Sequence, residues 1–158
     1  EMIVILPVST PVTLPEQRPV ARNGAECILP ATSSGRILVV DDEQHIRDIL
    51  AETLRDSGYS VETAANGQEG VVRLRTGSYD LILLDIRMPI HSGLDVLKLL
   101  RRNGGSPPVM VITGLASSEE LDEALRLGAA KCIRKPFHLK TLLSDIAGLL
   151  QQKNSINT

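Results

Sequence analysis

Short apolar runs alternate with amphipathic stretches along most of the chain. The apolar runs predict five strands, at residues 36–40, 59–64, 80–84, 108–113 and 131–135. After each run, apolar side chains recur every three or four residues, which is typical of a helix with one buried face. Strands that alternate with helices form parallel sheets with helices on both faces. We therefore predict an α/β domain over residues 36–151, built on a doubly wound, five-stranded parallel sheet.

A second pattern precedes this domain. Prolines stand at positions 7, 11, 15 and 19, and proline disfavours both helices and central strands. We therefore predict a proline-rich, disordered linker at residues 9–35. Residues 152–158 are predicted to form a short tail.

Composition argues against several classes of function. The net charge is −2, no Lys/Arg run occurs, and only 2% of the residues are aromatic and able to stack on bases, which disfavours nucleic-acid binding. The longest apolar run is too short to span a membrane. Cys27 and Cys132 lie far apart without metal-type spacing, which is typical of reduced thiols. We expect a cytoplasmic segment that neither binds nucleic acid nor inserts into a membrane.

Polar side chains stand at the ends of four predicted strands. Asp41 and Asp42 come after the first strand, Asp85 follows the third, Thr113 ends the fourth, and Lys135 ends the fifth. In a right-handed doubly wound sheet, the carboxyl ends of the strands share one edge, where ligands bind. We expect the three carboxylates, the hydroxyl and the ammonium to converge at this edge.

Such a cluster needs a cation or protons, because two carboxylates about 4 Å apart repel each other by roughly 4 kcal/mol at an effective dielectric constant of 20. Oxygen ligands without His or Cys suit a hard divalent ion, Mg²⁺ or alternatively Mn²⁺. A metal ion, a lysine and a threonine around one aspartate suit phosphoryl transfer to a carboxylate nucleophile. Asp85 is the candidate nucleophile because it stands alone at the end of its strand. Taken by themselves, residues 41–43 could instead cap a helix.

Several motifs occur in order on these elements. They are Asp41-Asp42, the segment LLDIRMPIHSG at 83–93, Thr113-Gly114 and Lys135-Pro136-Phe137. Together they resemble the receiver domains of response regulators in two-component signalling, and the resemblance covers residues 36–151. It implies a flavodoxin-like sheet with strand order 2-1-3-4-5.

The resemblance also implies roles for the matching residues. Asp85 would take a phosphoryl group from a phosphohistidine on a histidine kinase or a phosphotransfer protein, and would thereby switch partner interactions. Thr113 and Lys135 would contact the acyl phosphate. The Mg²⁺ ligands would be Asp41, Asp42, Asp85 and the main-chain carbonyl of Arg87. One position departs from the family pattern, because Cys132 stands where receiver domains usually carry Tyr or Phe.

The parent protein and two other functions stay open. Residues 2–8, MIVILPV, are similar to the closing strand of histidine-kinase ATP-binding domains. A kinase end at residues 1–8, a linker and a receiver would together form the C-terminal part of a hybrid histidine kinase. The alternatives are an aspartyl-nucleophile phosphatase of haloacid-dehalogenase type, whose D-x-D motif is missing here, and a pseudo-receiver that binds partners without phosphorylation.

Overall fold

The computed structural model describes residues 35–156. The five strands are β1 (Arg36–Val40), β2 (Ser60–Ala64), β3 (Leu81–Leu84), β4 (Val109–Thr113) and β5 (Lys131–Arg134). The helices are α1 (Gln44–Asp56), α2 (Gly67–Thr76), α3 (Gly93–Arg102), α4 (Ser118–Arg126) and α5 (Leu139–Ile156). All five predicted strands are present, although β2, β3 and β4 begin one residue later than predicted and β5 ends one residue earlier. At β2 the reason is that the Tyr59 N–H donates to the Leu54 carbonyl in α1, at 3.1 Å.

The sheet is parallel throughout, with strand order β2-β1-β3-β4-β5. The predicted fold class and strand order are therefore confirmed. The chain runs outward from β1 to β2 and then returns past β1 to β3, so the winding direction reverses between β1 and β3. At such a switch point, the connections diverge to opposite faces and leave a crevice at the carboxyl ends of the strands.

Helices cover both faces of the sheet, as predicted. Helices α2, α3 and α4 pack on one face, through a core that includes Leu97 and Ala124. Helices α1 and α5 pack on the other face, through a core that includes Leu54 and Ile146. All four residues of β3 are fully buried between these cores. Burial of a leucine or isoleucine side chain contributes about 1.5–3 kcal/mol, so this central strand fixes the position of whatever follows it.

Two helix starts differ in how they are capped. Helix α4 begins with a capping box, in which the Ser117 hydroxyl accepts a hydrogen bond from the Glu120 N–H and the Glu120 carboxylate accepts one from the Ser117 N–H, at 3.2 and 2.7 Å. Glu43, the N-cap residue of α1, makes no side-chain capping bond. Asp41 and Glu43 instead contact Lys135, although acids at this position could have capped the helix.

At the carboxyl end, the last helix extends beyond the predicted domain boundary at residue 151, whereas β1 begins at Arg36. Helix α5 continues to Ile156, so most of the predicted tail at 152–158 extends this helix. The predicted kinase-like segment at 1–8 and, apart from Gly35, the predicted linker at 9–35 lie outside the described residues. Between residues 35 and 156, no helix combines the length and the apolar character needed to cross a membrane.

Candidate functional site

The structure brings the predicted strand-end residues to one edge of the sheet. Asp41 directly follows β1 and Asp85 directly follows β3, and the Asp85 N–H donates to the carbonyl of Val40, the last residue of β1, at 2.9 Å. Lys135 follows β5, and its N–H donates to the carbonyl of Thr113, the last residue of β4, at 2.8 Å. Backbone hydrogen bonds of the sheet thus continue beyond the strand ends and fix the positions of these residues.

Three carboxylates gather at this edge. Asp41, Asp42 and Asp85 each offer one oxygen, and these three oxygens lie within 4.8 Å of one another. Asp41 and Asp85 are only 2% and 4% exposed, whereas Asp42 is exposed. A set of close oxygen donors, partly buried and partly open to solvent, fits a hard divalent cation that keeps some of its water ligands.

The Lys135 ammonium contacts the acids directly. Its Nζ lies 2.9 Å from Asp41 Oδ2, 2.9 Å from Glu43 Oε1 and 3.4 Å from Asp85 Oδ2. The Lys135 side chain is 13% exposed, so these contacts are partly shielded from water. We name Asp41, Asp42, Glu43, Asp85 and Lys135 the acidic cluster.

The surroundings shift the pKa values of three members of this cluster. Burial alone lowers the pKa of Lys135, but hydrogen bonds with Glu43 and Asp41 outweigh burial and hold this pKa above its ordinary value. Burial raises the pKa of Asp41, against the opposing hydrogen bonds from Lys135 and from the Glu43 N–H. The hydrogen bond from Lys135 lowers the pKa of Glu43. Lys135 therefore stays charged at neutral pH, and the acidic cluster holds four acids against one cation.

Backbone amides orient the two buried aspartates. Asp85 Oδ1 accepts a hydrogen bond from the Arg87 N–H at 3.0 Å, and Asp41 Oδ1 accepts one from the Glu43 N–H at 2.9 Å. In both residues, the other oxygen contacts Lys135. Hydrogen bonds to an ionised carboxylate are stronger than neutral ones, so the two carboxylates are held with their Oδ2 atoms directed at the same ammonium.

Thr113 presents a buried hydroxyl without a partner. The residue is fully buried, and within the described part of the chain its Oγ1 forms no hydrogen bond. Leaving a buried polar group unsatisfied costs about 1–3 kcal/mol. A threonine that served only to fill the core would not need this hydroxyl, because valine has nearly the same shape. The hydroxyl is therefore available for a group that binds at this edge.

Two glycines near the site differ in the space that a side chain would have. A Cβ at Gly93 would lie 2.2 Å from the Asp85 carbonyl oxygen and 2.8 Å from the Ile86 Cα, so no side chain fits there without moving the backbone that carries Asp85. A Cβ at Gly114 would lie 3.8 Å from Lys135 side-chain atoms, an ordinary contact distance. Gly93 thus permits the close approach of α3 to the end of β3.

The histidines and cysteines do not belong to the acidic cluster. His45, His91 and His138 are exposed. Cys132 is a half-buried free thiol that packs against the core on the α2–α4 face, and burial raises its pKa. Cys27 lies outside the described residues.

Sequence reasoning missed two side-chain contacts of the site. Glu43 contacts Lys135, and its position directly after two aspartates was a signal that could have suggested this. The Arg87 guanidinium donates to the carboxylate of Glu120 at 2.9 Å; from the sequence, only the carbonyl of Arg87 was considered. Nothing in the spacing of these two residues, which are 33 positions apart, indicates that they meet.

The fold and the site together define the class of protein. Residues 37–147 match the response regulator receiver domain family, and the chain belongs to this family. Among curated relatives, it is 40% identical over 121 residues to the transcriptional regulatory protein DltR of Streptococcus agalactiae, covering 77% of this chain and 54% of that protein. The chain thus spans about half the length of the curated relatives it matches first.

Solved structures agree with this assignment. The response regulator TrrA from Thermotoga maritima, in complex with Mg²⁺ and BeF, is 37% identical with a TM-score of 0.65, over 72% of this chain and 97% of that one. The signal receiver domain of a signal transduction histidine kinase from Syntrophus aciditrophicus is 31% identical with a TM-score of 0.69, over 75% and 91% of the two chains. Receiver domains bind Mg²⁺ at an acidic pocket, and the aspartates of the acidic cluster form such a pocket here.

Proposed function

We propose that Asp85 accepts a phosphoryl group from a phosphohistidine on a histidine kinase or a phosphotransfer protein. The observation that carries this proposal is the set of groups at the carboxyl edge of the sheet: buried carboxylates, one ammonium, and the hydroxyl of Thr113, which lacks a partner among the described residues. A structural cluster would leave neither an excess of acids nor an unused hydroxyl in a buried position.

The transfer step breaks one bond to phosphorus and forms another. An oxygen of the Asp85 carboxylate attacks phosphorus in line with the phosphohistidine nitrogen; the P–N bond breaks, its electron pair passes to the imidazole nitrogen, and a P–O bond forms. The product is an acyl phosphate on Asp85 and a free imidazole. The Arg87 N–H holds the carboxylate in position, and Lys135 and Thr113 donate hydrogen bonds to the phosphoryl oxygens. Positioning and charge neutralisation of this kind supply most of the catalysis in phosphoryl transfer.

The metal ion would be held by the oxygen donors of this edge. We assign Mg²⁺ to Asp41, Asp42, Asp85 and the main-chain carbonyl of Arg87. Mg²⁺ suits these ligands because they are hard oxygens, and Mn²⁺ is a second candidate on the same ground. When bound, the ion supplies the positive charge that offsets the negative charge of the transferred group. Lys135 alone carries a single charge and cannot offset both the acids and a phosphoryl group.

Intact-mass measurement tests the proposal. The chain is incubated with phosphoramidate or acetyl phosphate, in Mg²⁺ or in EDTA, and compared with Asp85→Asn and Asp80→Asn. Asp80 precedes β3 at its amino end, where its carboxylate contacts Lys153 at 2.9 Å, so it is a matched control at the opposite end of the same strand. We expect one added phosphoryl group on the wild type and on Asp80→Asn, only with Mg²⁺, and none on Asp85→Asn.

Other outcomes would favour the alternative functions. If neither small donors nor a phosphorylated phosphotransfer protein modify the chain, the domain is a pseudo-receiver. Sustained turnover of a small phosphate ester would indicate a phosphatase, which membership of the receiver family argues against. An equal adduct on Asp85→Asn would move the phosphoacceptor to another residue.

For the parent protein, we propose a hybrid histidine kinase. Its support is the similarity to the receiver domain of the Syntrophus kinase and the sequence of residues 2–8. The DltR relative supports the other layout, a transcriptional response regulator. In both layouts, the donor phosphohistidine is made with ATP, and we propose that the domain acts in the cytoplasm. The length and composition of the full reading frame decide between the two layouts.

A further inference from the structure

One residue connects the proposed phosphoacceptor to helix α4. The Arg87 N–H donates to Asp85 Oδ1 at 3.0 Å, and the Arg87 guanidinium donates to Glu120 Oε2 at 2.9 Å. The Arg87 and Glu120 side chains are 54% and 28% exposed. The backbone of Arg87 therefore contacts the site, while its side chain contacts the first turn of α4.

The Arg87 contact falls on the capping box of α4. Glu120 Oε2 accepts hydrogen bonds from both the Arg87 guanidinium and the Ser117 N–H, the latter at 2.7 Å. A change in the position of Arg87 therefore decides whether the oxygen that caps this helix is paired with a cation. In contrast, the Thr113 hydroxyl makes no hydrogen bond among the described residues. It therefore does not connect the site to α4 through a hydrogen bond.

We infer that the Arg87–Glu120 ion pair couples the phosphorylation state of Asp85 to the amino end of α4. This inference rests on the proposed function of Asp85. A phosphoryl group brings nearly two negative charges and three strong acceptor oxygens, and arginine binds such a group through two parallel hydrogen bonds. Arg87, two residues from Asp85, leaves Glu120 for the phosphoryl group, and Glu120 then caps α4 without its cation.

The contacts between α3 and the rest of α4 provide a control. Lys98 Nζ lies 3.1 Å from Glu123 Oε1, and these side chains are 50% and 43% exposed. Arg101 donates to the carbonyls of Leu127 and Gly128, just beyond the end of α4. None of these residues belongs to the loop that follows β3. Glu123→Gln therefore removes a comparable ion pair from the same helix without touching the proposed coupling.

Hydrogen exchange of the α4 amides tests the coupling. It is measured on the full chain, before and after phosphorylation by phosphoramidate with Mg²⁺, in the wild type, Glu120→Gln, Arg87→Met and Glu123→Gln. Glutamine keeps an oxygen for the capping box, and Arg87→Met leaves the box intact. In the wild type, we expect phosphorylation to raise exchange in the first turn of α4 about two- to fivefold, the range set by one exposed ion pair.

The variants separate the possible results. In Glu120→Gln and in Arg87→Met, exchange should be raised already without phosphorylation and should rise little further with it, and the double variant should match each single one. Glu123→Gln should respond as the wild type does. An equal response in all four proteins, or equal effects of Glu120→Gln and Glu123→Gln, overturns the coupling while leaving the phosphoacceptor in place. If neither the small donors nor a phosphorylated phosphotransfer protein adds a phosphoryl group to the chain, both proposals are overturned.

Discussion

Two clusters of charged side chains in this domain differ in balance and in burial. The first, which we name the balanced cluster, draws residues from the start of β1, from β2, from α2 and from the segment before β3. It consists of Arg36, Glu62, Glu69, Arg73 and Tyr79. Arg36 pairs with Glu62, and Arg73 lies 3.2 Å from Glu62 and 2.9 Å from Glu69. The charged side chains of this cluster are 30–44% exposed.

The acidic cluster has the opposite character. Four acids face one ammonium, and three of the five side chains are 13% exposed or less: Asp41, Asp85 and Lys135. Buried charges are stable only when paired and hydrogen-bonded, so this arrangement costs free energy in the state described. The comparison shows how a structural cluster is distinguished from a functional one: the first satisfies its own charges, and the second leaves a deficit that a ligand can fill.

The largest expected effect comes from removing one cation from each cluster and comparing the losses of stability. Lys135→Met should lower the free energy of unfolding by about 3 kcal/mol, because it leaves buried carboxylates without their partner. Arg73→Met should lower it by no more than about 1 kcal/mol, because its ion pairs are exposed. Both changes remove one positive charge and insert a similar apolar chain. Urea unfolding at pH 7 in EDTA measures the difference, and equal losses would contradict the contrast in burial.

A smaller effect is expected from removing a hydroxyl group, either that of Thr113 at the carboxyl edge of the sheet or that of Tyr79 in the balanced cluster. Thr113→Val should raise the free energy of unfolding by about 1 kcal/mol, because it removes a buried hydroxyl that has no partner in the described part of the chain. Tyr79→Phe should lower it by about 1 kcal/mol, because the Tyr79 hydroxyl donates to Glu62 at 2.8 Å.

The same unfolding curves test both changes, provided that circular dichroism shows both variants to be folded. If Thr113→Val destabilises the domain as much as Tyr79→Phe does, the Thr113 hydroxyl has a structural partner. Its availability for the phosphoryl group would then no longer follow.

The strand-end residues could be predicted from sequence because topology alone brings them together. Asp85 and Lys135 each follow an apolar run, and parallel strands place their carboxyl ends on one edge whatever the side-chain conformations are. The contact between Lys135 and Glu43, 92 positions apart, depends instead on which of several nearby acids the ammonium reaches. That choice is made by burial and side-chain geometry, which a local sequence pattern does not show.

The ends of the strands were harder to predict for a similar reason. The sequence pattern predicts Asp80 as the first residue of a strand. Its carboxylate instead accepts hydrogen bonds from the Arg36 N–H and from Lys153, and β3 begins one residue later. Local pattern predicts that an element exists, whereas its first and last residues are set by competing hydrogen bonds from distant parts of the chain.

The smallest effects concern pH and should have opposite signs in the two clusters. Burial raises the pKa of Asp41 above its value in the unfolded chain, so ionised Asp41 costs stability above that pKa, and the cost disappears as the pH falls to the unfolded value of about 4. Hydrogen bonds from Arg36 and Tyr79 lower the pKa of Glu62, so ionised Glu62 contributes stability above about pH 4 that is lost on acidification.

Asp41→Asn should therefore be more stable than the wild type at pH 7, by up to about 1 kcal/mol, and Glu62→Gln less stable by up to about 1 kcal/mol. The Asp41 difference should shrink toward zero as the pH falls below about 4, because this carboxyl is then protonated in the folded and unfolded states alike. The Glu62 difference should persist to lower pH, because the lowered pKa keeps Glu62 ionised in the folded state after it is protonated in the unfolded chain. Urea unfolding between pH 3 and pH 7 in EDTA measures both curves. A destabilising Asp41→Asn at pH 7 would mean that Lys135 and the Glu43 N–H fully offset the burial of this carboxylate. The excess of acid would then be carried by Asp85 and the exposed Asp42 instead.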